Sequence, residues 1–322
     1  ATADAQVAAT TTGSSANSDF ALANTLVDVI GIRSRGAADT ATIAADGTIT
    51  AAARIGSGTA ASTVVGNSDA LAILNATAIF LANAGASTTI GGVGSISARS
   101  DLGSLAAPIL VSASSAANGF ARANLAGDAI GIFGTANGSD YPLIQPGAAG
   151  GDLTSTAVTS ARISAFGVAG AAEAFLADGA DRTAPAMLIG IQDTALAFGA
   201  GTNTLTVTTT GVVNLNATST AANASAGAVT SGIGLFGSNS ATPVSIDFDQ
   251  SGRIAIAASQ RSFAQAVSVN GVSTANLADQ VVGIESQSIL AAGKLQIGGS
   301  ATSQQLANAR SEDSSASASV RL

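Results

Sequence analysis

The chain has 322 residues, 20 of them acidic and 12 basic, for a net charge of -8, and it contains neither Cys nor His. These counts exclude disulfides, Cys/His zinc sites, thiol nucleophiles and every Ser-His-Asp triad. They also make nucleic acid and anionic membrane surfaces poor partners.

Apolar residues make up 47% of the chain, but aromatic residues only 3%, with no Trp and one Tyr. So few bulky side chains predict a thin core of Ala, Val, Ile and Leu between closely spaced strands. No run of about 18 apolar residues exists, so no membrane span is expected. The chain begins with Ala1, which suggests a targeting segment removed from a secreted, extracellular or cell-surface protein.

In residues 1–20, Ala3, Ala5 and Val7 alternate with Asp4 and Gln6. That is the pattern of a strand, and the segment is one that neighbouring subunits can exchange. The body, 21–308, repeats one pattern: an apolar residue, three positions, Gly, then two apolar residues two apart. The clearest copy is Ile289, Gly293, Leu295, Ile297. Residues two apart point to one face of a strand, and Gly marks a corner where a residue without Cβ can take φ > 0.

Earlier copies start at Ile30-Gly31-Ile32, Ala72-Ile73, Gly131-Ile132, Gly190-Ile191 and Gly234-Leu235. Their corner glycines are Gly47, Gly94, Gly151, Gly211 and Gly252, spaced like Gly293 at 41 to 60 residues. Within the third copy, residues 139–152 carry two prolines and a Gly cluster and read as a loop before Leu153. Val168 to Ala177 reads as a helix.

Self-similarity at this spacing predicts an all-β, elongated β-solenoid, parallel β-helix-like, of about six degenerate repeats of 41–60 residues, each spanning two or three coils. An antiparallel β-sandwich or barrel is the alternative, because Asp46-Gly47 is also a hairpin signal. In the last segment, 309–322, Ala316, Ala318, Val320 and Leu322 share one face, as in a second exchangeable strand.

The run Ile289 to Ala301 resembles the repeats of filamentous-haemagglutinin-type secreted proteins, which are parallel β-helices. Val282, Gly283, Ile284, Ser288, Ile289, Ala291 or Ala292, and Gly293 resemble the Ala/Gly/Ser/Thr-rich surface repeats of marine cyanobacteria. The resemblance covers about twenty residues well. It implies a cell-surface location and a structural use.

Four motifs bear on chemistry. Asp247, Asp249 and Ser251, followed by Gly252, look like the first half of a calcium loop, but Ala258 stands where the loop's closing Glu belongs, and a tight corner uses the same residues. Calcium is thus the one cofactor suggested. Gly232, Gly234 and Gly237 satisfy the dinucleotide fingerprint, although the residues that follow break helices. Alternating threonines, Thr202 to Thr210 and Thr40 to Thr50, form either an ordinary strand surface or a glycan-binding face.

Asp178 and Asp181 with Arg182 are the nearest thing to a carboxylate catalytic cluster. No catalytic residue is nominated and no enzyme is expected. Asn75, Asn137, Asn216 and Asn223 lie in glycosylation sequons. The expected function is a structural subunit of an extracellular filament, sheath or surface layer, polymerising head to tail with copies of itself by strand addition. A surface adhesin or glycan-binding fibre module is the alternative.

Overall fold

The computed structural model describes residues 1–10, 20–36, 40–42, 47–83, 89–135, 141–147, 150–177, 185–239 and 241–321. Among these residues there is no helix, and the strands form three sheets. Every pairing among them is parallel.

The first sheet holds Thr2–Thr10, Thr48–Val64, Ser95–Leu102 with Ile109–Ser115, Asp152–Gly167, Thr202–Ser219, Ser251–Ser268 and Leu295–Ser311. The second holds Phe20–Gly36, Asn67–Asn83, Ala121–Ala126 with Ala129–Thr135, Ala172–Leu176 with Ala186–Gln192, Ala224–Phe236, Ser273–Glu285 and Ala316–Arg321. The third holds Thr40–Thr42, Thr89–Val93, Leu143–Pro146, Ala195–Phe198, Val244–Phe248 and Gln287–Ala291. The chain visits first, second and third sheet in that order and begins again.

Parallel neighbours cannot be joined by a tight hairpin, so each strand reaches its partner only after the chain has passed through the other two sheets. This is why the sequence repeats at 41 to 60 residues. Each copy supplies one level to each sheet, not the two or three coils expected from the repeat length, because single strands run up to 18 residues. Seven levels at ~4.8 Å rise only about 30 Å, whereas an extended 18-residue strand reaches about 60 Å. The body is therefore broader than it is tall, and the expected elongation is absent from a single chain. Gly47 lies between strands of the third and first sheets, and Ile43 to Asp46 lie outside the described residues.

The core has two zones. In one, Ala53, Ala161, Ala217 and Ala264 of the first sheet meet Ala72, Ala123, Ala174, Ala226 and Ala275 of the second. Alanine predominates there, with Leu74, Leu125, Ile163 and Leu215 among the larger side chains of the same zone, so the sheets approach closely. In the other zone Ile96, Leu153, Leu205 and Ile254 of the first sheet meet Ile79, Ile132, Ile191 and Leu235 of the second, with Ile90, Ile144, Leu196 and Ile246 of the third. The extra sheet widens the interior, and branched side chains fill it. Phe198 and Phe248 stack there in consecutive levels, centroids 4.5 Å apart.

The Gly-Ile dipeptides that open the copies fall in one column of the second sheet. A Cβ on Gly234 would come within 2.6 Å of Ile256 Cγ2 and 2.5 Å of the Gly283 carbonyl oxygen, and Gly131 and Gly190 face the same way onto Ser155 and Val207. At this column the inside-outside alternation slips. Ile30 and Ile130, one residue earlier, line a hollow on the other face, Ile130 nearly buried in it, whereas Ile32 and Ile132, one residue later, pack with the core. Glycine permits both the slip and the close approach of the first sheet.

The corner between first and second sheets is held by serines. The hydroxyls of Ser115, Ser219, Ser268 and Ser311 each donate to a turn carbonyl one level below, Gly66, Gly170, Ala222 and Gly271, at 2.6 to 2.8 Å. Three of them also accept an N–H from their own turn, from Ala222, Gly271 and Ser314. Each hydroxyl thus ties its own corner to the turn one level below, and those of Ser115, Ser219 and Ser268 do so from buried positions.

Two readings of local structure change. Val168 to Ala177 forms no helix: 168–170 bend, and Ala172–Leu176 is a strand paired on both sides. Ala172, Ala174 and Leu176 point inward while Glu173 meets Arg122 of the neighbouring strand, so cross-strand pairing outweighs the helix preference of alanine. Within the expected loop at 139–152, Leu143–Pro146 is a strand of the third sheet, and Tyr141 Oη beside it donates to the Thr242 carbonyl.

Candidate interaction surface

The sheets end at both extremes of the stack on strands that have a partner on one side only among the described residues. At the C-terminal extreme these are Leu295–Ser311, Ala316–Arg321 and Gln287–Ala291. Interior positions are uncovered there. Ile254 is 1% exposed, and Ile297, its partner one level on, is 53% exposed. Leu277 is 1% exposed, and its partner Val320 is 48% exposed.

Few charges and no proline interrupt Leu295–Ser311 and Ala316–Arg321, the usual devices that stop an edge from pairing. At the N-terminal extreme Thr2–Thr10 pairs with Thr48–Val64. Ala3, Ala5 and Val7 therefore lie on a strand of their own chain, as do Ala316, Ala318 and Val320. Leu322 lies outside the described residues. Residue 309 falls inside Leu295–Ser311, and residue 20 opens Phe20–Gly36.

Of the glycines read as corners, Gly47, Gly94, Gly151 and Gly293 lie between third-sheet and first-sheet strands. Gly94 N–H donates to the Gly47 carbonyl at 2.8 Å and Gly293 N–H to the Gln250 carbonyl at 2.6 Å. Gly211 is at no corner but inside Thr202–Ser219, where its missing side chain leaves room for Gln260. The corner preceding that strand is at Gly201, with φ 95°. Gly252 lies inside Ser251–Ser268, with the Phe248 ring 2.5 Å from where its Cβ would be.

Asp247 and Asp249 are exposed on either side of inward-facing Phe248. The Ser251 hydroxyl accepts the Lys294 N–H at 3.2 Å, and the corner is closed by the Asp249 and Ser251 amides donating to the Phe198 and Gly201 carbonyls. Among the described residues no group of three or more acidic side chains is placed to hold a metal ion.

Gly232, Gly234 and Gly237 belong to strand Ala224–Phe236 and its end, with no helix after them. Asp178, Asp181 and Arg182 lie outside the described residues, as does Asn137. Asn75 and Asn223 use their side-chain oxygens to accept the Asp128 and Val272 amides, while Asn216 is exposed on the first sheet.

The threonines are partly brought together. Thr50, Ser97, Thr154 and Thr206 are consecutive partners across the first sheet, and the row then passes to Ala255. Beside it a shallow groove of about 690 Å³ is lined by Thr206, Thr208, Arg253, Gln296 and Ser300, among others.

Sequence reading missed the buried polar cluster between the two core zones. Asp279 Oδ1 accepts from Thr230 Oγ1 at 2.6 Å and Ser262 Oγ at 3.2 Å, while Oδ2 has no hydrogen-bond partner. Burial pushes this carboxyl above the usual range, and the two hydroxyl donors only partly offset it. A single Asp in an alternating strand carries no sequence signal of burial.

No helix of the described residues is long and apolar enough to cross a membrane. No family model, curated protein or solved structure matches this chain.

Proposed function

We propose that the chain is a three-sided parallel β-solenoid and a structural subunit of a secreted, extracellular filament, sheath or surface layer. It polymerises head to tail by adding the terminal strands of one copy to the sheet edges of the next. The observation that carries this reading is the pair Ile254 and Ile297, equivalent in register but buried and 53% exposed respectively. A further level is what buries every such residue elsewhere in the stack, and burying an Ile contributes roughly 1.5–3 kcal/mol.

Unsatisfied edge amides and carbonyls along Leu295–Ser311 favour the same event. Head-to-tail contacts between unlike ends do not close on themselves and yield fibres. The net charge of -8 agrees with this reading, since an acidic chain is a poor partner for nucleic acid.

The groove at Thr206, Thr208 and Arg253 supports a second reading, a glycan-binding fibre module, since hydroxyls and a guanidinium suit sugar hydroxyls. Negative-stain electron microscopy of the purified chain separates them. Filaments of regular width are expected. Separate bodies about as tall as one chain, at concentrations well above micromolar, would contradict polymerisation and leave the glycan reading.

A further inference from the structure

We propose that the hollow on the outer face of the second sheet, where Phe20–Gly36, Asn67–Asn83 and Ala129–Thr135 lie side by side, binds a single neutral pyranose ring. The site is separate from the first-sheet groove at Thr206 and does not depend on the filament reading.

The hollow originates in the Gly-Ile slip. In a regular strand every second side chain faces outward, at intervals of about 7 Å. Here Gly131 and Ile132 both face inward, onto Ser155 and into the core. The outward side chains are therefore Ile130 and Phe133, about 10 Å apart along the strand. Gly31 with Ile32, and Ala78 with Ile79, repeat this on the two levels below. The skipped side chain leaves a space of about 270 Å³, lined between its two ends by the consecutive partners Ile30, Thr77 and Ile130.

The two ends differ in chemistry. At one, Asp28 and Asn75 are strand partners, and Asp128 joins them. Asn75 Oδ1 accepts the Asp128 amide at 3.0 Å, and Asp128 Oδ1 accepts the Met187 amide at 2.8 Å, so this wall is organised before any ligand arrives. At the other end Arg33, Phe80, Phe133 and Gln192 are consecutive partners. The Phe80 and Phe133 rings are tilted by 49° with centroids 5.2 Å apart, and the Arg33 guanidinium lies over Phe80 at 5.0 Å. Gln192 Oε1 has no hydrogen-bond partner.

This set of groups selects hydroxyls. Carboxylates only accept and a guanidinium only donates, whereas a hydroxyl does both. A phosphate or sulfate would face two carboxylates, and an ammonium would face Arg33. A wholly apolar molecule would strip water from all of these charges and return no hydrogen bond. A pyranose meets every requirement: its rim hydroxyls donate to Asp28 and Asp128 and accept from Arg33, while its C–H face lies on Phe133 and Ile130. The space holds one ring, so the recognised unit is one sugar residue, such as the end of a glycan.

Ligand-observed saturation-transfer NMR with the methyl pyranosides of glucose, galactose and mannose at millimolar concentration tests the site. Transfer to at least one of them is expected, strongest at the C–H protons of one ring face. The affinity read from its titration should fall about tenfold in Phe133→Ala and in Asp28→Asn. Asp28 is exposed, so Asp28→Asn should melt like the parent and its loss reports binding alone. Arg253→Ala, in the first-sheet groove, should leave the signal unchanged. No transfer to any of the three sugars, or transfer that survives both substitutions, would overturn the site. Transfer lost in Arg253→Ala instead would place the sugar on the first sheet and overturn it equally.

Discussion

The side-chain amide of Gln260 lies against Gly211, in the space that a Cβ on residue 211 would fill. Both residues are buried where the two core zones meet, and Gln260 Nε2 donates to Ser262 Oγ at 3.3 Å. Gly211→Ala should therefore cost about 1–2 kcal/mol by overpacking. The Gly-Ile column is less forgiving, because carbonyl oxygens and a branched side chain crowd Gly234. Gly234→Val should cost roughly 3 kcal/mol. Chemical denaturation of both variants checks the order; equal stability of Gly234→Val and the parent would sink the close-approach argument.

Ser268 links two turns, donating to the Ala222 carbonyl and accepting the Gly271 amide. Removing its hydroxyl leaves a buried donor and a buried acceptor without partners, so Ser268→Ala should cost about 1–3 kcal/mol. Ser112→Ala is the control, since Ser112 is exposed on the outer face of the first sheet and should change stability by less than about 0.5 kcal/mol.

Asp279 gives stability a pH dependence of definite sign. Its carboxyl is 4% exposed and its pKa is raised in the folded chain by burial. Below the unfolded carboxylate range both states are protonated and Asp279 imposes no penalty. As pH rises through the raised folded value, the unfolded state binds fewer protons, so this group's contribution falls. Asp279→Asn should raise the neutral-pH melting temperature and flatten its decline above pH 4. A variant less stable than the parent at pH 7 but equal to it at pH 4 would reverse the assignment.

Phe248 stacks on Phe198, and its ring also closes over Gly252. Phe248→Ala should cost about 3–5 kcal/mol. Its exposed neighbours Asp247 and Asp249 should tolerate alanine within about 0.5 kcal/mol, with or without calcium. A calcium-dependent rise in melting temperature lost in the Asp247→Ala, Asp249→Ala variant would place an ion at this corner.

Strand content and the repeat were legible because alternation and spacing are local. Leu295, Ile297 and their counterparts announce which face is inward, and the Gly-Ile dipeptides mark a column that aligns in space. Pairing direction was not legible, since Asp46-Gly47 suits a hairpin as well as a passage between sheets. The rise per copy is not legible for a similar reason: Thr202–Ser219 alternates through its whole length, and the Gly211 inside it imitates a break. The serine corner left a visible trace, Ser-Ala-Ala-Asn at 115–118 and Ser-Val-Asn-Gly at 268–271, but Ser and Asn are ordinary turn residues and only the register shows what their hydroxyls join. Burial of Asp279 depends on Thr230 and Ser262, distant in sequence, and could not be read from its own strand.

Stacking of subunits along the axis on which strands already stack is the central claim, and fibre diffraction from aligned filaments tests it most directly. The account predicts a sharp reflection at ~4.8 Å on the meridian, because every sheet then continues through the joint with its strands across the filament axis. The same reflection on the equator would mean that subunits join side by side through their outer faces, and would contradict end-to-end assembly.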